Sequence, residues 1–108
     1  MARVFVCESG ALADGDARKV EGESFAAIAV FNVAGSLFAV SDRCSHGNAS
    51  MSEAYVEDDA TVECPLHAAR FCLKTGKALC QPATDPLRTF PVVEEGGQIF
   101  VEVEEVSA

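Results

Sequence analysis

Two pairs of one cysteine and one histidine constrain this chain more than any other feature. Cys44 and His46 form the first pair, and after seventeen intervening residues Cys64 and His67 form the second. Both histidines of the chain lie in these pairs, whereas histidines retained for packing would be scattered. Spacings of one and two residues suit tight loops that present thiolate and imidazole side chains to a single metal centre. The fold therefore has to bring two loops face to face.

Three interpretations of the pairs remain open at this point. Buried cysteines beside hydrogen-bonded histidines would have a packing role only. A tetrahedral zinc site takes the same four ligands and would make the chain a zinc-stabilised interaction domain, although zinc fingers usually pair Cys with Cys and His with His. A Rieske-type [2Fe–2S] cluster needs two thiolates on one iron and two imidazoles on the other. One Cys and one His from each of two facing loops meet that requirement.

The rest of the sequence predicts an all-β fold. Short apolar or alternating runs rich in Val, Ile and Phe are typical of strands, and turn-forming residues separate them. The strand runs are residues 3–6, 25–33, 36–40, 60–63 and 98–103. Turns are predicted at residues 14–16, 34–35, 58–59, 75–76 and 96–97. Two antiparallel hairpins follow, one turning at Ala34-Gly35 and one at residues 94–97.

A chain of 108 residues is expected to form one domain. Residues 41–82 have weaker strand signal than their surroundings and include all four candidate ligands. We therefore expect a basal β scaffold built from residues 1–40 and 83–108, with a cluster-binding subdomain, residues 41–82, inserted into it. The predicted architecture is an antiparallel β-sandwich or barrel-like scaffold that presents two loops.

Charge and cysteine content limit the partners and the compartment. The chain has 17 acidic and 8 basic residues, a net charge of −9, which argues against binding nucleic acid or an anionic membrane and favours a basic patch on a partner protein. No apolar run approaches a membrane span or a signal peptide, so we expect a cytoplasmic protein. Five cysteines are an odd number, which argues against a disulfide framework.

The motif segments resemble a known family. Residues 44–50 read CSHGNAS, residues 64–71 read CPLHAARF, and residues 75–79 and 82–87 read TGKAL and PATDPL. Together they are similar to the Rieske ferredoxins of bacterial aromatic-ring dioxygenase systems, and the similarity runs from end to end. It implies a Rieske fold with one [2Fe–2S] cluster per chain. Cys44 and Cys64 would bind the buried iron, His46 and His67 would bind the outer iron, and residues 81–86 would cover the cluster.

The resemblance also implies a function. The chain would be a one-electron carrier with no catalytic residues of its own, and a monomer, since it docks alternately with two proteins. Its partners would be an NADH-dependent flavoprotein ferredoxin reductase and a terminal oxygenase that acts on an arylpropionate-type acid. The small Rieske-like subunit of a nitrite reductase is an alternative, although such domains commonly lack one or more of the ligands.

Departures from the Rieske proteins of cytochrome complexes are informative. Ala49 and Leu66 stand where those proteins have a disulfide, and Ala69 stands where they have a serine that donates a hydrogen bond to a bridging sulfide. One donor that would stabilise the reduced state is thus missing, and we expect a potential at the low end of the Rieske range, about −150 mV. The remaining cysteines, Cys7, Cys72 and Cys80, are interpreted as small buried apolar residues.

Overall fold

The structure, a computed structural model, describes residues 2–22, 27–43, 50–57, 59–64, 70–79 and 87–103. Within them, ten strands form three antiparallel sheets. In chain order the strands are β1 (Ala2–Glu8), β2 (Ala17–Val20), β3 (Ile28–Val33), β4 (Ser36–Ser41), β5 (Tyr55–Val56), β6 (Thr61–Glu63), β7 (Arg70–Cys72), β8 (Thr89–Phe90), β9 (Val92–Glu95) and β10 (Gln98–Val103). Two 3₁₀ turns, Ser9–Ala11 and Met51–Glu53, accompany them. None of these elements is a helix able to span a membrane.

The three sheets are defined by which strands are hydrogen-bonded neighbours. Their strand orders are β1-β10-β9, β2-β3-β4-β8 and β5-β6-β7. The hairpin predicted at Ala34-Gly35 joins β3 to β4, and the one predicted before the C-terminal strand joins β9 to β10 through Gly96 and Gly97. Positive φ angles of 52° and 89° at Ala34 and Gly35 suit the tight turn that matches the right-handed twist of the strands.

Two buried cores lie on opposite faces of β3. The loop-side core consists of Ala29, Phe31, Val33, Val40, Met51, Ala60, Val62, Cys64, Phe71, Leu73 and Leu87. The basal core consists of Cys7, Leu12, Val20, Ile28, Val30, Ala39, Ile99, Val101 and Val103. Since successive side chains of a strand point to opposite faces, β3 supplies both cores alternately and is apolar almost throughout. The sheet that contains β3 therefore lies between the other two.

A β-bulge in β1 changes which of its side chains face the basal core. The register of β1 against β10 shifts between Phe5 and Cys7, which are two residues apart and would otherwise point to the same face. With the shift, Phe5 is half exposed and packs edge-on against Phe100, while Cys7 is buried.

Candidate metal centre

The loop that carries Cys44 and His46 is closed at its base. Arg43 and Ser50 form an antiparallel bridge across the loop, and the Met51 N–H donates a hydrogen bond to the Asp42 carbonyl. Met51 then enters the loop-side core with no exposed surface. Residues 44–49 themselves lie outside the described residues. Both ends of this first loop are thus held by backbone hydrogen bonds and by apolar burial.

The loop that carries His67 is the connection of a hairpin. β6 and β7 are paired through Thr61 with Cys72, Val62 with Phe71, and Glu63 with Arg70. Cys64 follows β6 directly, is 1% exposed and has a free thiol. Residues 65–69 lie outside the described residues. The hairpin therefore delivers one cysteine thiol into a dry, apolar environment at the base of the second loop.

The outer face of the β5-β6-β7 sheet stabilises that hairpin electrostatically. Arg70 donates a hydrogen bond from Nη2 to Glu57 Oε1 at 2.6 Å, and its Nε lies 3.7 Å from Glu63 Oε1. Tyr55 is paired with Glu63 in the same cross-strand row and is exposed. The Arg70 side chain thus links Glu57, the first residue after β5, and Glu63 on β6 to β7.

A third segment, residues 80–86, is also anchored at both ends. Leu79 donates its N–H to the Arg70 carbonyl at 2.7 Å, and Leu87 donates its N–H to the Gly76 carbonyl at 2.7 Å. Gly76 has a φ of 77°, and a Cβ added there would lie 2.0 Å from the Leu87 carbonyl oxygen. Only glycine permits this approach. The turn predicted at Thr75-Gly76 therefore fixes where the chain re-enters the core at Leu87.

The three loop bases converge on one core. Met51, Cys64, Phe71 and Leu87 belong to the loop-side core, and each flanks or lies close to one of the three segments. A buried thiol that forms no disulfide, at the base of a loop with a histidine three residues on, is what the inner thiolate of a mixed Cys and His cluster requires. Cys64, the candidate donor that the structure describes, therefore fits a Rieske cluster.

Comparison with known proteins decides between the interpretations. The Rieske [2Fe–2S] domain family matches residues 2–91. The 3-phenylpropionate/cinnamic acid dioxygenase ferredoxin subunit of Escherichia coli (strain K12) is 60% identical over 105 residues, which cover 97% of each chain. This chain belongs to the Rieske [2Fe–2S] ferredoxins. The ferredoxin's cofactor is accordingly a Rieske-type [2Fe–2S] cluster, as the sequence predicted, and neither the zinc nor the packing interpretation holds.

Structural comparison gives the same family. A solved complex of reduced oxygenase and oxidized ferredoxin in carbazole 1,9a-dioxygenase contains a chain that matches this ferredoxin with a TM-score of 0.90 and 33% identity, covering 98% of this chain and 97% of that one. The predicted all-β Rieske fold is confirmed. An NADH-dependent nitrite reductase small subunit from Mycobacterium tuberculosis matches with a TM-score of 0.86 over 97% of each chain, but at 24% identity it shows the fold alone.

The ferredoxin's cysteines occupy distinct environments. Cys64 is buried directly after β6, and its predicted role as a ligand stays a prediction, whereas Cys44, His46, His67 and Cys80 lie outside the described residues. Cys7 is buried in the basal core, as its interpretation required.

Cys72 differs from that expectation. It lies partly exposed on the outer face of β7. Successive side chains of a strand point to opposite faces, so Cys72 points to the same side as Arg70, and Phe71 points to the core. A hydrogen bond with the Thr75 side chain lowers the pKa of its thiol despite partial desolvation.

Sequence reasoning missed Asp42. It is 3% exposed, and its carboxylate accepts hydrogen bonds from Ser50 Oγ at 2.6 Å and from the Ser52 N–H at 2.9 Å. Lys19 on β2 lies 3.7 Å away, and its pKa is raised by Glu21 first and by Asp42 second. The available signal in the sequence was an acidic residue two positions before the candidate cysteine Cys44, followed by Ser50 and Ser52 after the loop.

Proposed function

We propose that this ferredoxin carries single electrons from an NADH-dependent flavoprotein reductase to the terminal oxygenase of an aromatic-ring dioxygenase. The oxygenase substrate in this proposal is an arylpropionate-type acid, supported by the 60% identity to a 3-phenylpropionate/cinnamic acid dioxygenase ferredoxin subunit. Oxygen chemistry then belongs to the oxygenase, and this chain has no catalytic residue.

The proposed cluster ligands are Cys44, His46, Cys64 and His67. The observation that carries this assignment is the position of Cys64, a fully buried free thiol where β6 enters the second loop. When bound, the cluster takes up and releases one electron, and we expect its potential near the low end of the Rieske range, about −150 mV.

The chain's own residues provide the environment for that electron transfer. Met51 and Phe71, neither of them exposed, line the loop-side core with Cys64 and exclude water from the thiolate side of the site. The proposal places the histidine pair toward solvent, so that an electron leaves through the imidazole edge toward a docked partner. Residues 81–86 would cover the cluster without adding a basic charge.

Docking with two proteins in turn favours a monomer, because a stable self-association would cover part of the surface that each partner needs. A reductase that oxidises NADH places the system in the cytoplasm. In the same proposal, residues 41–82 form the cluster-binding subdomain, and residues 1–40 and 83–108 form the scaffold that supports it.

A pair of cysteine variants tests the ligand assignment. Cys64 and Cys7 are both buried free thiols, one in the loop-side core and one in the basal core. Wild-type protein and Cys7→Ala should be red-brown, contain two irons and two sulfides, and give a Rieske EPR signal after dithionite reduction. Cys64→Ala should lack the signal. A colourless wild-type protein that contains zinc, or a Cys64→Ala protein with a normal signal, would contradict the assignment.

Reconstitution of electron transfer from purified components tests the proposed partners. With NADH, a purified flavoprotein reductase and the terminal oxygenase of an arylpropionate dioxygenase, wild-type ferredoxin should support oxidation of 3-phenylpropionate. Cys64→Ala should not. Turnover of equal rate without the ferredoxin would exclude the carrier role, and failure with this oxygenase but success with an oxygenase of another aromatic acid would revise the substrate.

A further inference from the structure

We propose that Asp42 is a positioning residue for the cluster: it holds together the two ends of the first ligand loop, and its charge lowers the reduction potential. The inference rests on the proposed assignment of Cys44 and His46 as ligands. Among the residues that the structure describes, Asp42 is the buried charged residue, with 3% of its surface exposed. Burial of a carboxylate is unfavourable unless hydrogen bonds and a counter-charge compensate it.

The contacts of Asp42 connect both sides of the loop. Its Oδ2 accepts from Ser50 Oγ at 2.6 Å, and its Oδ1 accepts from the Ser52 N–H at 2.9 Å. Its backbone N–H donates to the Ala27 carbonyl at 2.9 Å, and its carbonyl accepts from the Met51 N–H. One residue before the loop thus binds three residues after it and the segment that leads into β3.

Closure of this kind prepares the loop for its cofactor. The two candidate ligands lie within six residues, 44–49, whose ends are joined by these bonds and by the Arg43–Ser50 bridge. A loop whose ends are already fixed loses less conformational entropy when its ligands bind. Groups that support metal ligands from outside the ligand set typically change metal retention by about ten- to a hundredfold when they are removed.

The second proposed effect of Asp42 is electrostatic and concerns the reduction potential. Asp42 is two residues before Cys44 in the sequence, and Lys19 Nζ lies 3.7 Å from its Oδ2. The Lys19 side chain is 43% exposed, so water screens its charge more than that of Asp42. Because Asp42 is two residues from the proposed ligand Cys44, its negative charge would oppose the arrival of an electron at the cluster. Asp42 therefore holds the potential lower than a neutral residue would.

A solely structural role predicts a different outcome. If Asp42 only caps the 3₁₀ turn Met51–Glu53, its loss would lower stability and leave the potential of the surviving holoprotein unchanged. The potential is therefore the measurement that distinguishes the two roles.

The experiment compares holoprotein of three forms: wild type, Asp42→Asn and Asp14→Asn. Asp14 is the matched control, because its Oδ1 accepts a hydrogen bond from the Ala34 N–H at 2.6 Å and closes a loop at the β3–β4 turn. We measure the midpoint potential by voltammetry and the rate of cluster bleaching in a chelator. Asp42→Asn should raise the potential and bleach about ten- to a hundredfold faster. Asp14→Asn should match the wild type in both.

A second variant keeps the proposal testable if Asp42→Asn does not fold. Ser50→Ala removes the 2.6 Å hydrogen bond and leaves the carboxylate in place, so it should bleach faster, by about tenfold, with a smaller change in potential. Wild-type potential and bleaching in both variants would overturn the role of Asp42. Failure of the proposed function is separate, since it would appear as a wild-type protein with no Rieske EPR signal.

Discussion

The two cores of this ferredoxin are held together in different ways. Both cores share β3 and β4, which pair over six residues each, and the basal core also has the β1–β10 ladder, in which six residues of each strand are paired. Around the loop-side core, β5, β6 and β7 have two, three and three residues. The basal core therefore has a second long strand ladder, whereas the loop-side core has short strands together with the single contacts made by Asp42, Arg70 and Gly76.

Charge follows the same division. Residues 41–90 contain seven acidic and five basic residues, while the rest of the chain contains ten acidic and three basic residues. Of the net charge of −9, seven units therefore lie outside residues 41–90. The basal and loop sides thus differ both in the length of their strands and in their charge.

The strongest test of this difference is removal of one large side chain from each core. Phe71 and Ile99 are both almost completely buried, one on the loop side and one on the basal side. Phe71→Ala should lower the free energy of unfolding by about 4 kcal/mol and Ile99→Ala by about 3 kcal/mol, because each leaves a cavity. Denaturant unfolding of the holoprotein measures both values.

Cluster retention separates the two variants. In Phe71→Ala the cavity adjoins Cys64, so the visible absorption of the cluster should be lost well before global unfolding, whereas Ile99→Ala should lose both together. Simultaneous loss in both variants would mean that the two cores form one cooperative unit.

A smaller effect is expected from glycine at two turns. A Cβ at Gly76 would approach the Leu87 carbonyl oxygen to 2.0 Å, whereas nothing lies within 4 Å of a Cβ at Gly35, and both residues have positive φ. Gly76→Ala should destabilise the protein by about 3 kcal/mol, since strain and a backbone clash add together. Gly35→Ala should cost about 1 kcal/mol from strain alone. Equal thermal midpoints for the two variants would show that the Gly76–Leu87 contact is not rigid.

The smallest effect concerns the turn before β6. The Thr61 hydroxyl donates to Asp59 Oδ1 at 2.6 Å and lowers the pKa of this exposed carboxyl, chiefly through that hydrogen bond. Because the folded pKa lies below the unfolded one, the stabilisation is present above the unfolded pKa and is lost as the pH falls through the folded pKa.

Thr61→Val should therefore raise the Asp59 pKa toward its unfolded value and remove this part of the acid dependence, and Thr61→Ser should retain it. An NMR titration of the Asp59 carboxyl carbon measures the change. An unchanged pKa in Thr61→Val would assign the lowering to the backbone and to Arg70 instead.

Strands with strong alternation were predicted well, and short polar strands were not. The alternation of β10 and the turns at Ala34-Gly35 and Gly96-Gly97 are local properties, and they appear where they were expected. β2, with the sequence ARKV, and β7, with RFC, were missed. Neither has a local pattern long enough to indicate a strand, because each is a strand through pairing with its neighbour.

The sequence by itself determined the local turns and strands, through glycines where φ must be positive and through alternating apolar runs, and its two Cys and His pairs supply the candidate donor set. These depend on residues close together in the chain. The tertiary structure alone decided that β3 contributes to two cores, that Asp42 is buried and bonded to Ser50 and Ser52, and that Gly76 contacts Leu87. Such features depend on contacts between distant segments, and local propensity carries no information about which segments will meet.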